Sequence, residues 1–447
     1  MSDLSLSDRG ARAASTPLRI DYAAFREAEA DLFDPASNPA GKIPLNIAEN
    51  RLSWPELRER IEHVTREQSI GDWVPGYTST RGAPEFREAL ASFLSDHLTH
   101  CPMDPERIVV SAGATSVIEM TALVLAEPGD VAVIPAPCYP VYERDIANVA
   151  GMERYDLQTR TAVGKLADAT EFSTDDLDRA FGEIEAAGKR FRMLILTTPN
   201  NPTGGILSLA RLEAVADWCI ARRVHFVVNE IYGLSLIDTD HPEIRDDYSE
   251  DVAFESFVPI IEDRDGDYLH LWYALSKDLG ISGLRVGMAY SRNERFLTGY
   301  ANLNLTHSIS NHTQWVLGQV LTDRPFMESY VARNQERLTE AYACTVTALR
   351  DMGVRYVASR GSLFAWIDLS EFLTELSEAG ELALWDEIFR TTGVLLTPGV
   401  GFGHEGHGLF RVVYPCVSRR ALTEALERLA RFVAERRSDN SQVMATS

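Results

Sequence analysis

The sequence predicts an α/β fold: a large, mainly parallel mixed sheet sandwiched by helices, together with a smaller α+β domain. Two observations support this prediction. Up to residue 274, near-continuous apolar runs alternate with longer helical patterns, as expected for parallel strands that are buried on both faces. Beyond residue 325, a long helical stretch, short strands and a final amphipathic helix at 418–436 indicate a separate α+β lobe.

The strand candidates indicate where a ligand should bind. They are RIVVSAG at 107–113, DVAVIPAP at 130–137, RMLILTTP at 192–199, HFVVNEIY at 225–232 and YLHLWYA at 268–274. Ligands of open α/β sheets bind beyond the carboxyl ends of the strands. We therefore expect a site in the loops that follow these five runs, between the two lobes.

The same patterns divide the chain into five segments. The ends, residues 1–16 and 436–447, have a low-complexity composition and are expected to be flexible tails. The large domain is expected at 71–322, and the smaller domain at 17–70 together with 323–435.

Composition disfavours several classes of protein. The formal charge of −23 would repel nucleic acid phosphates. No apolar run is long enough for a membrane span, and the first twenty residues lack the apolar core of a secretory signal. Five scattered cysteines without a Cys-x-x-Cys pair favour reduced thiols in the cytoplasm and disfavour structural zinc. His404 and His407 lack the helical spacing of a metal pair, so no metal site is predicted.

The loops after the first three strands each allow a functional and a plain structural interpretation. Gly113, Ala114 and Thr115 open a helix, whose free N–H groups suit a phosphate, or they simply form a strand-to-helix turn. Tyr139 can stack on a flat ring, or it can be a packing residue. Asn201 can donate to an anionic oxygen, or it can belong to an Asn-Pro turn.

The last two loops add nucleophilic and basic groups. Asn229 and Tyr232 follow the fourth strand; Ser276, Lys277 and Arg285 follow the fifth. A partly desolvated lysine attacks aldehydes, and an arginine binds phosphate through its planar fork. A single lysine is usually a surface residue, so the hypothesis depends on five successive strand ends that all carry suitable groups.

Motifs in a fixed order carry a resemblance to a known family. Between residues 42 and 432 they are LNIAEN, GAPEF, SAGAT, APCYP, NNPTGG, NEIY, LSKDLGISGLRVG and GLFRVVY. On these residues the chain resembles fold-type-I pyridoxal-phosphate enzymes of the class I/II aminotransferase family. Within that family it is most similar to the 1-aminocyclopropane-1-carboxylate synthase branch. The resemblance implies an aspartate aminotransferase-like fold, pyridoxal 5′-phosphate as cofactor and a homodimer with shared active sites.

The resemblance also implies roles for individual residues. Lys277 is expected to bind the cofactor as a Schiff base and then to move the proton of the substrate α-carbon, with Tyr232 and Asn229 beside it. Tyr77 is expected to reach the phosphate of the neighbouring subunit. The other expected cofactor contacts are Gly113, Ala114, Thr115, Tyr139, Asn201, Ser276 and Arg285.

Substrate contacts are expected from four further residues. Arg411 would bind the α-carboxylate in a bidentate geometry that lysine cannot copy. Glu49 matches a carboxylate with which the synthase branch recognises the sulfonium substrate S-adenosylmethionine. Ala48 and Thr80 are expected to lie beside the substrate.

Three positions depart from the family pattern. The family usually has Asp in place of Asn229, and that anion keeps the ring nitrogen of the cofactor protonated. A neutral Asn makes the ring a weaker electron sink, which leaves tuned chemistry, compensation by another residue or loss of activity as interpretations. Ala274 replaces a common Ser, and Thr80 stands where plant-type synthases have Tyr.

These observations leave three hypotheses of function. In the leading one, the enzyme removes the Cα proton of S-adenosylmethionine and expels methylthioadenosine, followed by cyclisation or by γ-substitution or annulation with a second small molecule. A conventional aminotransferase is the second hypothesis. A pyridoxal-phosphate-binding pseudoenzyme or regulatory protein is the third, and Asn229 is its main support.

Overall fold

The structure of the chain is a computed structural model that describes residues 5–17, 19–159, 172–248, 252–264 and 266–446. The strands in these residues are β1 (Ile43–Pro44), β2 (Ile108–Ser111), β3 (Val131–Ala136), β4 (Glu153–Gln158), β5 (Phe191–Thr197), β6 (His225–Asn229), β7 (Leu269–Ala274), β8 (Gly287–Ser291), β9 (Arg355–Val357), β10 (Phe364–Asp368), β11 (Val394–Leu395), β12 (Thr397–Pro398) and β13 (Leu409–Val413).

The α-helices of the same residues follow in chain order. They are α1 (Asp8–Ser15), α2 (Ile20–Glu29), α3 (Trp54–Glu67), α4 (Pro84–Leu94), α5 (Ala114–Leu125), α6 (Tyr142–Ala147), α7 (Thr174–Ala186), α8 (Leu209–Arg222), α9 (Val258–Asp263), α10 (Leu275–Asp278), α11 (Glu294–Leu303), α12 (Asn311–Leu321), α13 (Arg324–Asp351), α14 (Glu378–Thr392) and α15 (Arg419–Thr446).

The large sheet contains all five predicted strands. Its order is β2-β8-β7-β6-β5-β3-β4, and in the described part of the chain only β8 runs antiparallel to its neighbours. The strands β2, β3, β5, β6 and β7 therefore point the same way, and their carboxyl ends meet at one edge. This arrangement confirms the predicted mixed sheet and explains why the five loops converge.

Helices pack on both faces of the large sheet, because alternate side chains of its strands point to opposite faces. Leu194 and Leu196 of β5 belong to one apolar cluster with α4, α8 and α12, whereas Met193 and Ile195 belong to another with α5 and α11. Successive side chains of a strand point to opposite faces, so one strand serves both clusters. Helices thereby cover both faces of the sheet, except at the edge strand β4, which is only partly buried.

The smaller lobe has its own apolar core. An antiparallel sheet in the order β12-β13-β10-β9 packs with α14, α15 and the second half of α13, and β1 pairs in parallel with β11. The helix α13 joins the two lobes: Met327 and Tyr330 pack in the large core, whereas Leu338 and Tyr342 pack in the small one.

Helices extend into both segments that composition predicted to be flexible tails. The helix α1 occupies 8–15, and α15 continues to residue 446. Side chains at the start of α15, such as Leu422 and Leu426, are buried in the small core, and the helix continues from there. Residues 1–4 and 447 of those segments lie outside the described residues. Among the helices that are described, none has the length and apolarity required to cross a membrane.

Candidate active site

A cavity of about 150 Å³ lies at the carboxyl ends of the parallel strands, where the sequence predicted the site. It is lined by side chains from all five predicted loops and from the segment before α3. The predicted residues among them are Ala48, Ala114, Thr115, Tyr139, Asn201, Asn229, Tyr232, Ser276, Lys277 and Arg285.

The other predicted residues lie around this cavity or apart from it. Gly113 is the N-cap of α5. Arg411, on β13, donates a hydrogen bond to Asn201 of the cavity lining. Glu49 lines a neighbouring cavity of about 570 Å³. Thr80 and Tyr77 line a separate surface cavity of about 300 Å³.

Lys277 stands on the short helix α10 directly after β7. Its Nζ donates a hydrogen bond of 2.6 Å to the carbonyl oxygen of Ala48. Burial lowers the pKa of Lys277 to about 8, although nearby Glu49 acts in the opposite direction. A lysine with this pKa is neutral in a larger fraction of molecules near neutral pH, which is the form that attacks an aldehyde.

A positive cradle forms where β2 passes into α5. Gly113 caps the helix with φ of 89°, and a Cβ at this position would lie 2.5 Å from Nη2 of Arg285. Arg285 itself donates from Nη1 to the carbonyl oxygen of Ser282 over 3.0 Å. A guanidinium beside the N-terminus of a helix is a strong anion site, because both contribute positive potential and N–H donors.

The opposite end of the cavity is built from neutral groups. Asn229 is buried at the end of β6, where its Oδ1 accepts a 3.2 Å hydrogen bond from the backbone N–H of Ile231. Its Nδ2 donates over 2.9 Å to Oη of Tyr142, which lies 2.7 Å from Oγ1 of Thr197. Burial raises the pKa of the Tyr142 hydroxyl, so this group stays neutral.

Aromatic side chains form the walls. The ring of Tyr139 meets Tyr142 edge-on at 5.3 Å, and that of Tyr232 meets Phe364 edge-on at 5.4 Å. Burial raises the pKa of the Tyr232 hydroxyl, whereas Arg411 and a hydrogen bond with Asn201 act in the opposite direction. Tyr139 and Tyr232 thus offer a flat surface and a polar hydroxyl to the same ligand.

Arg411 is a desolvated cation at the domain boundary. It donates from Nη1 to Oδ1 of Asn201 over 3.0 Å and from Nη2 to the carbonyl oxygen of Asn46 over 2.9 Å. Its guanidinium carbon lies 4.6 Å from the ring centre of Phe364 and 5.4 Å from that of Phe402. Within the described residues, its buried Nε has no hydrogen-bond partner. A buried cation with an unused donor suits a carboxylate ligand.

Glu49 has a partner that the sequence did not reveal. Its Oε2 forms a 2.9 Å ion pair with Nη2 of Arg51, whose side chain is 65% exposed. Exposed pairs of this kind contribute little to stability. Glu49 is therefore free to exchange Arg51 for a cationic group of a ligand.

Sequence reasoning assigned no role to two parts of this region. Tyr22 of α2 lies near Arg411 and Asp145: burial raises the pKa of its hydroxyl, Asp145 contributes to that rise, and Arg411 opposes it. Asp145 itself lines the cavity. Tyr142 and Asp145 are three residues apart in α6, and this helical spacing could have indicated that they share a face. Tyr22 carries no such signal, because its segment resembles any amphipathic helix.

Comparison with known proteins now identifies the family. The family model for aminotransferase class I and II matches residues 40–429. The chain belongs to this family. The match covers both lobes and therefore includes the residues that line the cavity between them.

Several curated relatives in this family are 1-aminocyclopropane-1-carboxylate synthases. Synthase 1 of Oryza sativa subsp. indica is 33% identical, over 92% of this chain and 85% of that protein. Synthase 7 of Arabidopsis thaliana is 30% identical, over 93% of this chain and 92% of that protein. The chain is thus similar to these synthases along almost its whole length.

Solved structures of family members have the same fold. Aspartate aminotransferase from Thermus thermophilus with maleate superposes with a TM-score of 0.76 at 21% identity, covering 95% of this chain and 99% of that one. N-Succinyldiaminopimelate aminotransferase from Mycobacterium tuberculosis gives a TM-score of 0.75 at 20% identity, with the same coverage. At these identities the likeness establishes the aspartate aminotransferase-like fold.

Membership of the family makes this chain a pyridoxal-phosphate-dependent enzyme, and the residues present fit that cofactor. The cradle of Gly113 and Arg285 suits its phosphate, and Lys277 with its lowered pKa suits its aldehyde. Tyr139 suits the flat ring, since it lines the same cavity as Lys277, Arg285 and Asn229. When bound, the cofactor withdraws electrons from the α-carbon of an attached amino acid.

Proposed function

We propose that this enzyme acts on S-adenosylmethionine, expels methylthioadenosine from Cγ, and then closes a ring or joins Cγ to a second small molecule. The observation that carries the proposal is the pattern of charge around Lys277. The cation Arg411 and the anion Glu49 both act on the Lys277 ammonium, with opposite sign. An amino acid with a carboxylate at one end and a sulfonium cation on its side chain matches both charges.

We assign the cofactor to the residues that surround the cavity. In this proposal Arg285, Thr115, Ser276 and the backbone N–H groups at the start of α5 hold the phosphate. Tyr139 stacks on the ring and Asn229 contacts its nitrogen. Asn201 and Tyr232, which share a hydrogen bond, contact its phenolic oxygen.

The proposed chemistry needs one residue to move a proton and two to orient the substrate. Arg411 binds the α-carboxylate, and Glu49 binds the sulfonium end after leaving Arg51. Lys277 Nζ then takes the α-proton as a general base. The electron pair left on the α-carbon displaces sulfur at Cγ: a Cα–Cγ bond forms, the C–S bond breaks, and methylthioadenosine leaves. In the substitution branch, a nucleophile of the second substrate forms the new bond to Cγ as the C–S bond breaks, and the Lys277 ammonium returns the proton to the α-carbon.

The direct test is incubation of the holoenzyme with S-adenosylmethionine and measurement of methylthioadenosine by chromatography, alone and with added small-molecule nucleophiles. We expect release that is lost in Lys277→Ala. The variant Glu49→Gln should lower kcat/KM for S-adenosylmethionine much more than it changes deuterium exchange at Cα of methionine, whose side chain carries no charge. Absence of methylthioadenosine under every condition would refute the proposal.

The conventional aminotransferase remains the second candidate, because Arg411 and Lys277 serve transamination equally well. It predicts that a simple amino donor converts the bound cofactor to its pyridoxamine form and releases one equivalent of keto acid. The third candidate, a binding protein without turnover, predicts that neither methylthioadenosine nor keto acid forms although the cofactor binds. The neutral Asn229 is the observation that favours it.

We also propose that the enzyme is a cytoplasmic homodimer in which Tyr77 completes the partner's site. In the single chain the Tyr77 side chain is fully exposed, at 101%. An aromatic residue left in solvent on a cavity rim is better explained by burial against a second copy. Mixing Lys277→Ala with Tyr77→Ala subunits tests this: shared sites predict that mixed dimers regain activity, whereas independent sites predict none.

A further inference from the structure

The hydrogen bonds of Asn229 have a defined direction. A backbone N–H can only donate, so the 3.2 Å contact from Ile231 fixes the amide oxygen of Asn229 on that side. The amide nitrogen then points toward Tyr142, to which it donates over 2.9 Å. One of its two hydrogens is used there, and the second is left for a ligand in the cavity that Asn229 lines.

Tyr142 extends this chain away from the cavity. Because its Oη accepts from Asn229, its own hydrogen is available to Oγ1 of Thr197 at 2.7 Å. Both partners of Tyr142 are buried, and the tyrosine itself is 1% exposed. The three groups therefore form one neutral chain that holds the Asn229 amide in a single orientation.

The electrostatic surroundings favour neutral species at this end. Burial raises the pKa of Tyr139, Tyr142 and Tyr232, and it lowers that of Lys277. Arg411 and Arg285 are the fixed cations that lower the pKa of Lys277. Their positive potential also opposes a further positive charge in this cavity. A protonated ring nitrogen would need an anion here, and Asn229 supplies none.

One carboxyl group could take that role, namely Asp145. It is 4% exposed, lines the cavity, and its Oδ2 has no hydrogen-bond partner among the residues described. Burial raises its pKa to about 7, and Glu119 adds to the rise. Burial thus makes the Asp145 anion less available near neutral pH than an ordinary carboxylate, and the variant Asp145→Asn tests this residue directly.

We infer that this site holds the cofactor with its ring nitrogen unprotonated, that Asn229 donates a hydrogen bond to that nitrogen, and that Tyr142 is the positioning residue for the amide. The inference rests on the assignment of Asn229 to the ring nitrogen, and it does not depend on which amino acid is the substrate. An unprotonated ring withdraws fewer electrons, so it favours reactions that use the electron pair of the α-carbon at once, such as displacement at Cγ.

The test is ¹⁵N NMR of the holoenzyme reconstituted with pyridoxal phosphate that is ¹⁵N-labelled in the ring, without substrate. We expect a resonance in the range of the unprotonated free cofactor at pH 7, moved partway by the hydrogen bond. A resonance in the range of the protonated cofactor would overturn the inference. Methylthioadenosine formation is measured separately, so failure of the proposed reaction and failure of this inference are distinguishable.

Variants decide between the candidate partners. Asn229→Asp should move the resonance to the protonated range. Tyr142→Phe should move it toward the free unprotonated value and raise the cofactor dissociation constant about fivefold, as for one lost hydrogen bond. Tyr290→Phe, in which a buried hydroxyl bonded to Glu262 is lost elsewhere, is the matched control and should change neither. A protonated wild-type nitrogen that loses its proton in Asp145→Asn would assign the role to Asp145 and overturn the inference.

Discussion

At one end of the cavity the Arg285 guanidinium meets the start of α5, and at the other end Asn229 meets Tyr142 and Thr197. The first end combines a full positive charge with the helix dipole and has a backbone that only glycine allows at position 113. The second end contains neutral amide and hydroxyl dipoles together with the buried carboxyl of Asp145, whose pKa burial raises to about 7. The contrast teaches that anchoring of the cofactor and tuning of its reactivity are separate tasks, placed on separate strands.

Lys277 lies between the two ends, and its removal should have the largest effect. We expect Lys277→Ala to lower kcat by at least about 10³-fold, because both the nucleophile and the general base are lost. The charged end should still bind the cofactor without a covalent bond. Steady-state kinetics and the visible spectrum measure the two effects, and retained turnover with free cofactor bound would contradict the assigned role.

The charged end should determine cofactor affinity. Arg285→Ala removes a charge-assisted interaction of about 1.5–3 kcal/mol, so we expect cofactor affinity to fall about 10- to 100-fold. Arg285→Lys keeps the charge without the planar fork, so its cofactor affinity should lie between those of the wild type and Arg285→Ala. Equilibrium dialysis measures the affinity. An unchanged value in Arg285→Ala would contradict the assignment of cofactor anchoring to the charged end.

At the neutral end, Asp145 should make stability depend on pH. Its pKa, raised from 3.8 to about 7 by burial, means that the folded state binds more protons than the unfolded state between those values. The free energy of unfolding therefore falls as pH rises through this window, by on the order of 4 kcal/mol. Urea titrations of the apoprotein should show a weaker dependence in Asp145→Asn. The exposed neighbour Glu143 provides the control, since Glu143→Gln should keep the wild-type slope.

The smallest effect is expected at Thr115, in the first turn of α5. Loss of its hydroxyl in Thr115→Val removes one hydrogen bond from a neutral donor to the phosphate, about 1.5 kcal/mol, which corresponds to about tenfold in cofactor affinity, the low end of the range expected for Arg285→Ala. Backbone N–H groups and Arg285 remain in place. An effect as large as that of Arg285→Ala would show that the charged end depends less on charge than the structure indicates.

Much of the fold could be predicted because near-continuous apolar runs indicate strands that are buried on both faces. Each predicted run contains a strand of the large sheet, and the loops after them surround one cavity. The reversal of β8 could not be predicted, since its sequence, GMAYS, is as apolar as its neighbours and carries no mark of direction. Lateral order in a sheet depends on crossovers, which local periodicity does not encode.

The missed site features share a physical reason. The Asn229–Tyr142 pair joins residues 87 positions apart, and Arg411 contacts Asn201 across 210 positions. Such contacts depend on tertiary packing, so spacing rules that connect residues within one helix or strand do not reveal them. The ion pair of Glu49 with Arg51 was missed for a different reason: it is local, but two residues of opposite charge close in sequence need not pair when they are exposed.

The helix α13 has a mechanical consequence for the whole molecule. Because Met327 and Tyr330 are buried in one core and Leu338 and Tyr342 in the other, the helix connects the lobes mechanically. A rotation of the small lobe about this helix would move Arg411 and the α2 segment together relative to Lys277. For the same reason neither lobe can melt without exposing part of the other, so the chain should unfold in a single cooperative transition.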